Sequence, residues 1–260
     1  MQMISAVVIS HNNELTIGKT LQSLSFCDEL IVIDDFSTDQ TVQIAKKEGA
    51  IVYQHKLNGD FAAQRNFGLG KAKGPASTRG EPTRGGEWVL FIDSDEIVSD
   101  SLAKEIQKVV AIDCVGFYVK RQDWLFGRKL LHGETERVRL LRLARKNVGK
   151  WVRPVHEVWQ IKGLTGTLDA PLDHFPHPNV AQFIDSVNRY SSINATYLHD
   201  QHVKVLWWHI LAYPTAKFFM NYIRRRGFLD GTQGAIVAIM MSMHSFLTRA
   251  KLWLLWHPHE

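Results

Sequence analysis

Residues 87–96 read EWVLFIDSDE, an apolar run that ends on Asp93, Asp95 and Glu96. A run this short and this apolar fits a β-strand buried on both faces of a sheet. Three similar runs occur at 4–9 (ISAVVI), 30–34 (LIVID) and 50–54 (AIVYQ). Helical spacing fills the intervals. Leu15, Ile17, Leu21 and Leu24 recur through 13–24, residues 39–48 open on Asp39 and close before Gly49, and a weaker pattern covers 60–70. Polar openers and a terminal glycine are the usual helix boundaries. The alternation predicts an α/β fold with a mostly parallel, Rossmann-like sheet, right-handed crossovers and helices on both faces.

Beyond the third helix, residues 73–86 (KGPASTRGEPTRGG) hold too few apolar side chains to pack, and read as a mobile surface insertion. A helix follows over about 101–111, then strands at 115–120 and 136–143 with an irregular segment between them. From about residue 179 the pattern becomes helical and aromatic, so a boundary is expected near 178. With 260 residues, 45% apolar and 22% charged, the chain has enough material for one large core or two modest ones. The net charge of +5 points to an anionic partner. Only Cys27 and Cys114 occur, so there is no disulfide framework and a reducing cytosol is the simpler setting. The opening run 3–9 is too short for a signal peptide and reads as the first strand.

In an open α/β sheet, ligands bind outside the carboxyl ends of the strands. The polar residues gather there. Strand one ends in Ser10-His11-Asn12-Asn13, strand two in Asp34-Asp35-Phe36-Ser37, and strand four in Asp93-Ser94-Asp95-Glu96. Asp93 and Asp95 offer hard oxygen ligands to Mg²⁺ or Mn²⁺, whose remaining positions would take diphosphate oxygens. An isolated acidic turn can equally start a helix, but Asp34 and Asp35 on the same rim favour the metal reading.

Four motifs in order, VVISHNNE (7–14), IVIDDFSTD (31–39), GDFAAQRNFGL (59–69) and WVLFIDSDE (88–96), resemble those of family 2 glycosyltransferases with the GT-A fold. Within that family they resemble the subgroup of lipopolysaccharide core β-glucosyltransferases. The resemblance implies a catalytic domain over 1–178, with a nucleotide-sugar half at 1–100 and an acceptor half at 101–178. It places Ser10, Asn12 and Glu14 near the nucleoside, Asp34 and Asp35 on the donor rim with Asp35 facing uracil or ribose, and Arg65 on the nucleotide. Asp93 and Asp95 carry over as the ribose and metal-diphosphate pair. An inverting transfer also needs a base for the acceptor hydroxyl. Glu157 of Val155-His156-Glu157 matches the family's His-Glu position, with His156 as a further metal or phosphate ligand; Asp123, Glu134 and Glu136 are the spare carboxylates. Structural alternatives stand beside each: an Asn turn, a helix first-turn charge at Glu14, a surface ion pair at Arg65.

The implied activity is metal-dependent, inverting transfer of one sugar from a UDP-sugar to a glycan or lipid-linked acceptor, lipopolysaccharide core being one. A polyprenyl-phosphate glycosyltransferase is the alternative within the class, and a noncatalytic nucleotide-sugar-binding protein the alternative outside it. Neither G-x-G-x-x-G nor a P-loop occurs, and no nucleic-acid motif is present, so dehydrogenase, NTPase and nucleic-acid readings fall away. The prolines in His174-Phe175-Pro176-His177-Pro178 argue for a structural loop over a zinc helix. Residues 203–222 are apolar but interrupted by Lys204, His209, Pro214 and Lys217, short of an unbroken span of roughly 20 residues. The aromatic, basic region 179–260 therefore either lies on an anionic membrane surface, on the inner face of the cytoplasmic membrane, or packs as a helical subdomain.

Overall fold

The computed structural model describes residues 2–73, 88–135, 138–154 and 157–257. They form two compact units, Met1–Arg121 with Arg139–His174, and Gln122–Val138 with Phe175–Glu260. Most of the insertion expected at 73–86 lies outside the described residues, as do Glu136 and His156.

In the first unit, β1 (Ile4–Ser10), β2 (Glu29–Asp34), β3 (Ile51–Gln54) and β4 (Trp88–Asp93) alternate with α1 (Ile17–Gln22), α2 (Thr41–Lys47) and α3 (Phe61–Lys71). After these come β5 (Glu96–Val98), α4 (Asp100–Val109) and β6 (Gly116–Leu125), which runs on into the second unit, where β7 (Arg128–Lys129) pairs with it. The first unit resumes with β8 (Arg139–Arg145), β9 (Gly149–Val152), β10 (Val158–Ile161), β11 (Thr165–Thr167) and β12 (Leu172–His174). The sheet runs β3-β2-β1-β4-β8-β6-β12-β5, and β9 and β10 form a separate two-stranded hairpin. Strands β3, β2, β1 and β4 are parallel, while β8 lies antiparallel to β4 and β6.

Both faces of the parallel half are covered, which is why its strands read as continuous apolar runs. Ile4, Ala6 and Val8 of β1 join Ile17 and Leu21 of α1 and Leu102 and Ile106 of α4 on one face. Val7 joins Ile31, Ile33 and Phe91 with Ala62 and Leu69 of α3 on the other, where Trp151 and Trp159 of the hairpin close the layer. Register then fixes the rim. Ser10 stands opposite Asp34, and Ile9 opposite Asp93, so the three polar strand ends share one edge.

Side-chain caps start α3 and α4. Asp60 caps α3 by accepting from the Ala63 amide at 2.9 Å. Ser99 caps α4. Helix α2 starts one residue later than expected, with Gln40 at the cap position, and Asp39 accepts from the Thr41 amide at 3.0 Å and from the Glu14 amide of the neighbouring loop at 3.1 Å. The segment expected to be irregular after 120 instead extends β6 to Leu125 and returns as β7. Its Leu125 and Leu130 pack with Phe183, Val187 and Met240, so residues 122–138 join the second unit with the chain from Phe175 onward.

That second unit holds α5 (Val180–Asp200), α6 (His209–Phe219), a π-helical turn Met220–Arg224, a 3₁₀ turn Gly227–Asp230 and α7 (Gly231–Trp256). Helix α7 packs against both α5 and α6. Asn179 caps α5 through the Gln182 amide at 2.9 Å.

Helix α3 sits unusually close to the sheet. A Cβ on Gly68 would lie 2.6 Å from Val7 Cγ1 and 3.0 Å from Ile33 Cγ1, so only glycine fits. Gly70, on the same helix, has nothing within 4 Å. Gly68→Leu should therefore destabilise the protein by about 1–3 kcal/mol through overpacking, whereas Gly70→Ala should raise stability by about 0.5–1 kcal/mol through helix propensity. Urea unfolding of the two variants tests the contrast; equal effects would mean that the close approach of α3 is not constraining.

Candidate functional site

The rim is built first by loops that tie one strand end to the next. Asn12, at φ 52°, gives its amide to Ser37 Oγ at 2.9 Å and accepts from the Thr38 amide at 2.8 Å through Oδ1. His11 Nδ1 lies 2.7 Å from the Asp35 carbonyl oxygen, and Glu14 accepts the Gln40 amide at 3.1 Å. Asp34 is fully buried and accepts from the Ser37 amide and hydroxyl, so it shapes the turn after β2. Asp35 is partly open and accepts the Leu57 amide at 2.9 Å through Oδ1. Ser10 Oγ is buried without a hydrogen-bond partner among the described residues.

Arg65, one turn before Gly68 on α3, reaches the end of β4. Its Nη2 donates to Asp93 Oδ1 at 2.8 Å, and its Nε donates to Glu157 Oε1 at 2.9 Å. The guanidinium lies 4.8 Å from the Trp151 ring centroid. From the other side, Arg142 of β8 donates through Nη2 to Asp93 Oδ2 and, at 2.7 Å, to Glu96 Oε1. The Asp93 amide closes the turn by donating to Glu96 Oε2 at 2.8 Å. Two buried guanidiniums thus meet three carboxylates, with Arg65 Nη1 and Arg142 Nε lacking partners among the described residues.

The electrostatics follow from that packing. Burial pushes the Asp93 carboxyl up, but Arg142 and then Arg65 outweigh it and hold it well below the usual range. Glu96 ends above its usual range, because burial dominates and Asp93 adds to it while Arg142 opposes. Burial works against both arginine charges too; Asp93 and Glu96 reverse this for Arg142, and Asp93 with Glu157 for Arg65, so both stay protonated.

Asp95 differs from Asp93. The difference is one of partners and not of exposure, since the two side chains are 26% and 30% exposed: His174 Nε2 lies 3.6 Å from Asp95 Oδ2. His174 ends β12, opposite Glu96 of β5. Among the described residues no group of three or more His, Cys, Asp or Glu is arranged to hold a metal unaided. A lone carboxylate beside an imidazole nevertheless suits an ion that takes most of its ligands from diphosphate and water, as Mg²⁺ does. Asp93, with an arginine on each oxygen, is the less available ligand of the pair.

The sequence pattern of the family described as Glycosyl transferase family 2 matches residues 5–157. The chain belongs to that family. It is therefore a glycosyltransferase, and the ion cluster lies within the matched region. Lipopolysaccharide core biosynthesis glycosyltransferase LpsC of Rhizobium meliloti (strain 1021) is 26% identical over 259 residues, covering 96% of this chain and 92% of LpsC. An uncharacterized glycosyltransferase of Rickettsia felis is 26% identical over 279 residues, covering 97% and 90%. Glucosyl-3-phosphoglycerate synthase from Mycobacterium tuberculosis, solved with Mn²⁺, UDP and phosphoglyceric acid, superposes with a TM-score of 0.47 at 17% identity, covering 78% of this chain and 80% of that one.

Of the residues expected to serve this glycosyltransferase, the structure gathers Arg65, Asp93 and Glu157 into one cluster, with Asp95 two positions further on. Ser10, Asn12, Glu14, Asp34 and Asp35 stand on the β1 and β2 ends. Arg142 and Glu96 were not foreseen as site residues. A buried charge between Leu141 and Leu143 is the one local sign that Arg142 needs a partner. His174, expected in a structural loop, instead faces Asp95.

Removing Arg142 leaves the buried Glu96 without its cation and Asp93 with Arg65 alone, so Arg142→Met should cost about 3–5 kcal/mol in urea unfolding. The pH dependence has a definite sign. The folded pKa of Asp93 lies below the ordinary 3.8, so its contribution is complete above that value and is lost as pH falls below it. Glu96, raised above the ordinary 4.5, acts oppositely: stability falls as pH rises from 4.5 towards its folded value. The acid-side loss of thermal stability, followed below about pH 4, should therefore be shallower in Asp93→Asn than in the parent protein.

Proposed function

We propose that this family 2 glycosyltransferase moves one sugar, with inversion, from a UDP-sugar to a hydroxyl of a glycan or lipid-linked acceptor of the lipopolysaccharide core class. The observation that carries the reading is the Arg65–Asp93–Arg142 cluster at the carboxyl end of β4, with Asp95 two positions on, beside His174. The similarity to LpsC along nearly the whole chain supports the core acceptor. The rim of Ser10, Asn12, Glu14, Asp34 and Asp35 at the β1 and β2 ends supports the nucleotide reading; of its carboxylates Asp34 is buried, Asp35 partly open and Glu14 exposed.

Asp95, with His174 at its side, would hold Mg²⁺ or Mn²⁺. Such an ion supplies positive charge to a departing diphosphate. The chain's own residues do the rest. Arg65 and Arg142 fix Asp93 as an ionised, oriented acceptor for donor hydroxyls. Glu157 takes the acceptor's hydroxyl proton as the acceptor oxygen bonds to the anomeric carbon, while the bond from that carbon to the diphosphate breaks on the opposite side. Arg65 Nε donates to Glu157 Oε1 and its Nη2 lies 2.8 Å from the same oxygen, which fixes the carboxylate's direction. Acceptors of this kind are met at a membrane, and we assign the enzyme to an anionic membrane surface. No helix among the described residues is long and apolar enough to cross a bilayer.

Release of UDP from candidate UDP-sugars in the presence of Mn²⁺ tests the reading. Asp95→Asn should abolish turnover with the fold intact by circular dichroism. Glu157→Gln should lower kcat by about 10²-fold or more with little change in donor KM. Near-normal turnover in Asp95→Asn would remove the metal assignment. Parallel losses in donor KM and kcat at Glu157 would make it an anchor for Arg65 rather than the base.

A further inference from the structure

Helix α6 is amphipathic in the inverted sense. Its inner side carries the polar contacts: Lys217 pairs with Glu134, the Asn221 amide donates to Glu134 Oε2 at 2.9 Å, and Ser242 of α7 donates to the Pro214 carbonyl at 2.7 Å. Its outer side carries no charge. Trp207 is 70% exposed, Leu211 63%, Phe219 57% and Ile223 52%, and Trp208 lies among them. The π-helical turn Met220–Arg224 continues this face to its end, where Arg224, Arg225 and Arg226 follow, all exposed. Arg226 takes a left-handed φ of 55°, so the chain turns sharply and leaves the three cations at one corner. Among the described residues none of the three meets a carboxylate: Arg224 reaches Met220 Sδ and Arg225 reaches Asn221 Oδ1. Across residues 201–259 the sequence has seven Lys or Arg and a single carboxylate side chain, Asp230, which is buried against His132.

An apolar face of this size on a folded chain marks a contact surface. We infer that the exposed apolar side chains from Trp207, before α6, through the outer face of α6 to Ile223 in the π-helical turn insert at the headgroup level of an anionic bilayer, with Arg224, Arg225 and Arg226 on the lipid phosphates. This rests on the membrane-surface part of the proposed function and names the element that does the docking. Charge selects the occupant. Indole rings suit the boundary between headgroups and acyl chains, and arginines beside an apolar face suit acidic lipid. A symmetric second copy would bring the patch against itself and set arginine corner near arginine corner, with no exposed carboxylate from 201–257 to meet them.

Sedimentation of the full chain with vesicles of phosphatidylcholine alone, or of phosphatidylcholine and phosphatidylglycerol in a two-to-one mixture, tests this at low and high salt. Strong binding to the mixed vesicles, weakened by salt, is expected. The triple variant Arg224→Gln, Arg225→Gln, Arg226→Gln should lower partitioning about a hundredfold. The triple variant Trp207→Ser, Leu211→Ser, Phe219→Ser should lose binding even at low salt, with helix content unchanged by circular dichroism. If the parent protein binds neither vesicle, the membrane reading and this face fall together. If it binds and both variants bind equally well, the face is wrong while the membrane reading stands. Equal, salt-indifferent binding to neutral vesicles overturns the electrostatic part. A dimer in sedimentation equilibrium that the serine variant abolishes, without vesicle binding, gives the face to a second copy of the chain.

Discussion

The arrangement of the first unit depends on Asp93 being held from two sides. It ends the strand that continues the parallel sheet, and it receives one guanidinium from the helix on one face and another from the antiparallel strand next door. A buried ion cluster of this kind is a weak source of net stability, since desolvation offsets much of the attraction. Its effect is positional. With both oxygens engaged, the carboxylate is held in one orientation, while the neighbouring Asp95, two residues on, meets His174.

Much of this was legible in the sequence because it was local. Strands buried on both faces announce themselves as unbroken apolar runs, and the parallel register follows once the runs alternate with helices. The rim of Ser10, Asp34 and Asp93 could be drawn before any coordinates, since polar residues ended each run. What escaped was non-local. The partners Arg65 and Glu157 are 92 positions apart, and Arg142 is 49 from Asp93, so no motif window contains them together. His174 was obscured by its prolines, which signal a loop; the strand stops just before them, and that end faces Asp95. Gly68 read only as part of a helical pattern, and the sheet side chains beneath it explain its identity.

In the aromatic C-terminal region, two placements were open, packing or lipid contact, and composition alone gave no means of choosing. The structure shows which helix faces pack and which are exposed. Helix α7 contributes Met240 and Leu252 to small cores with α5, and its Ser242 donates to the Pro214 carbonyl of α6, whose Lys217 pairs with Glu134. The remaining face of α6 leaves Leu211, Tyr213 and Phe219 exposed. Apolar residues with no helical seam to fill are what made the region read ambiguously as sequence.

Helix α3 and the β9–β10 hairpin are joined at four points within little more than one helical turn. The Phe61 amide donates to the Pro154 carbonyl at 3.0 Å, Asn66 exchanges a pair of bonds with the Trp151 backbone at 2.9 Å each, and Arg65 grips Glu157. Elements tied this densely open together. In hydrogen exchange, the amides of Phe61 and Trp151 would then share a single opening event with the first turns of α3, although one lies on a helix and the other on a strand 90 residues later. The hairpin, which belongs to no larger sheet, would borrow its slow exchange from a helix.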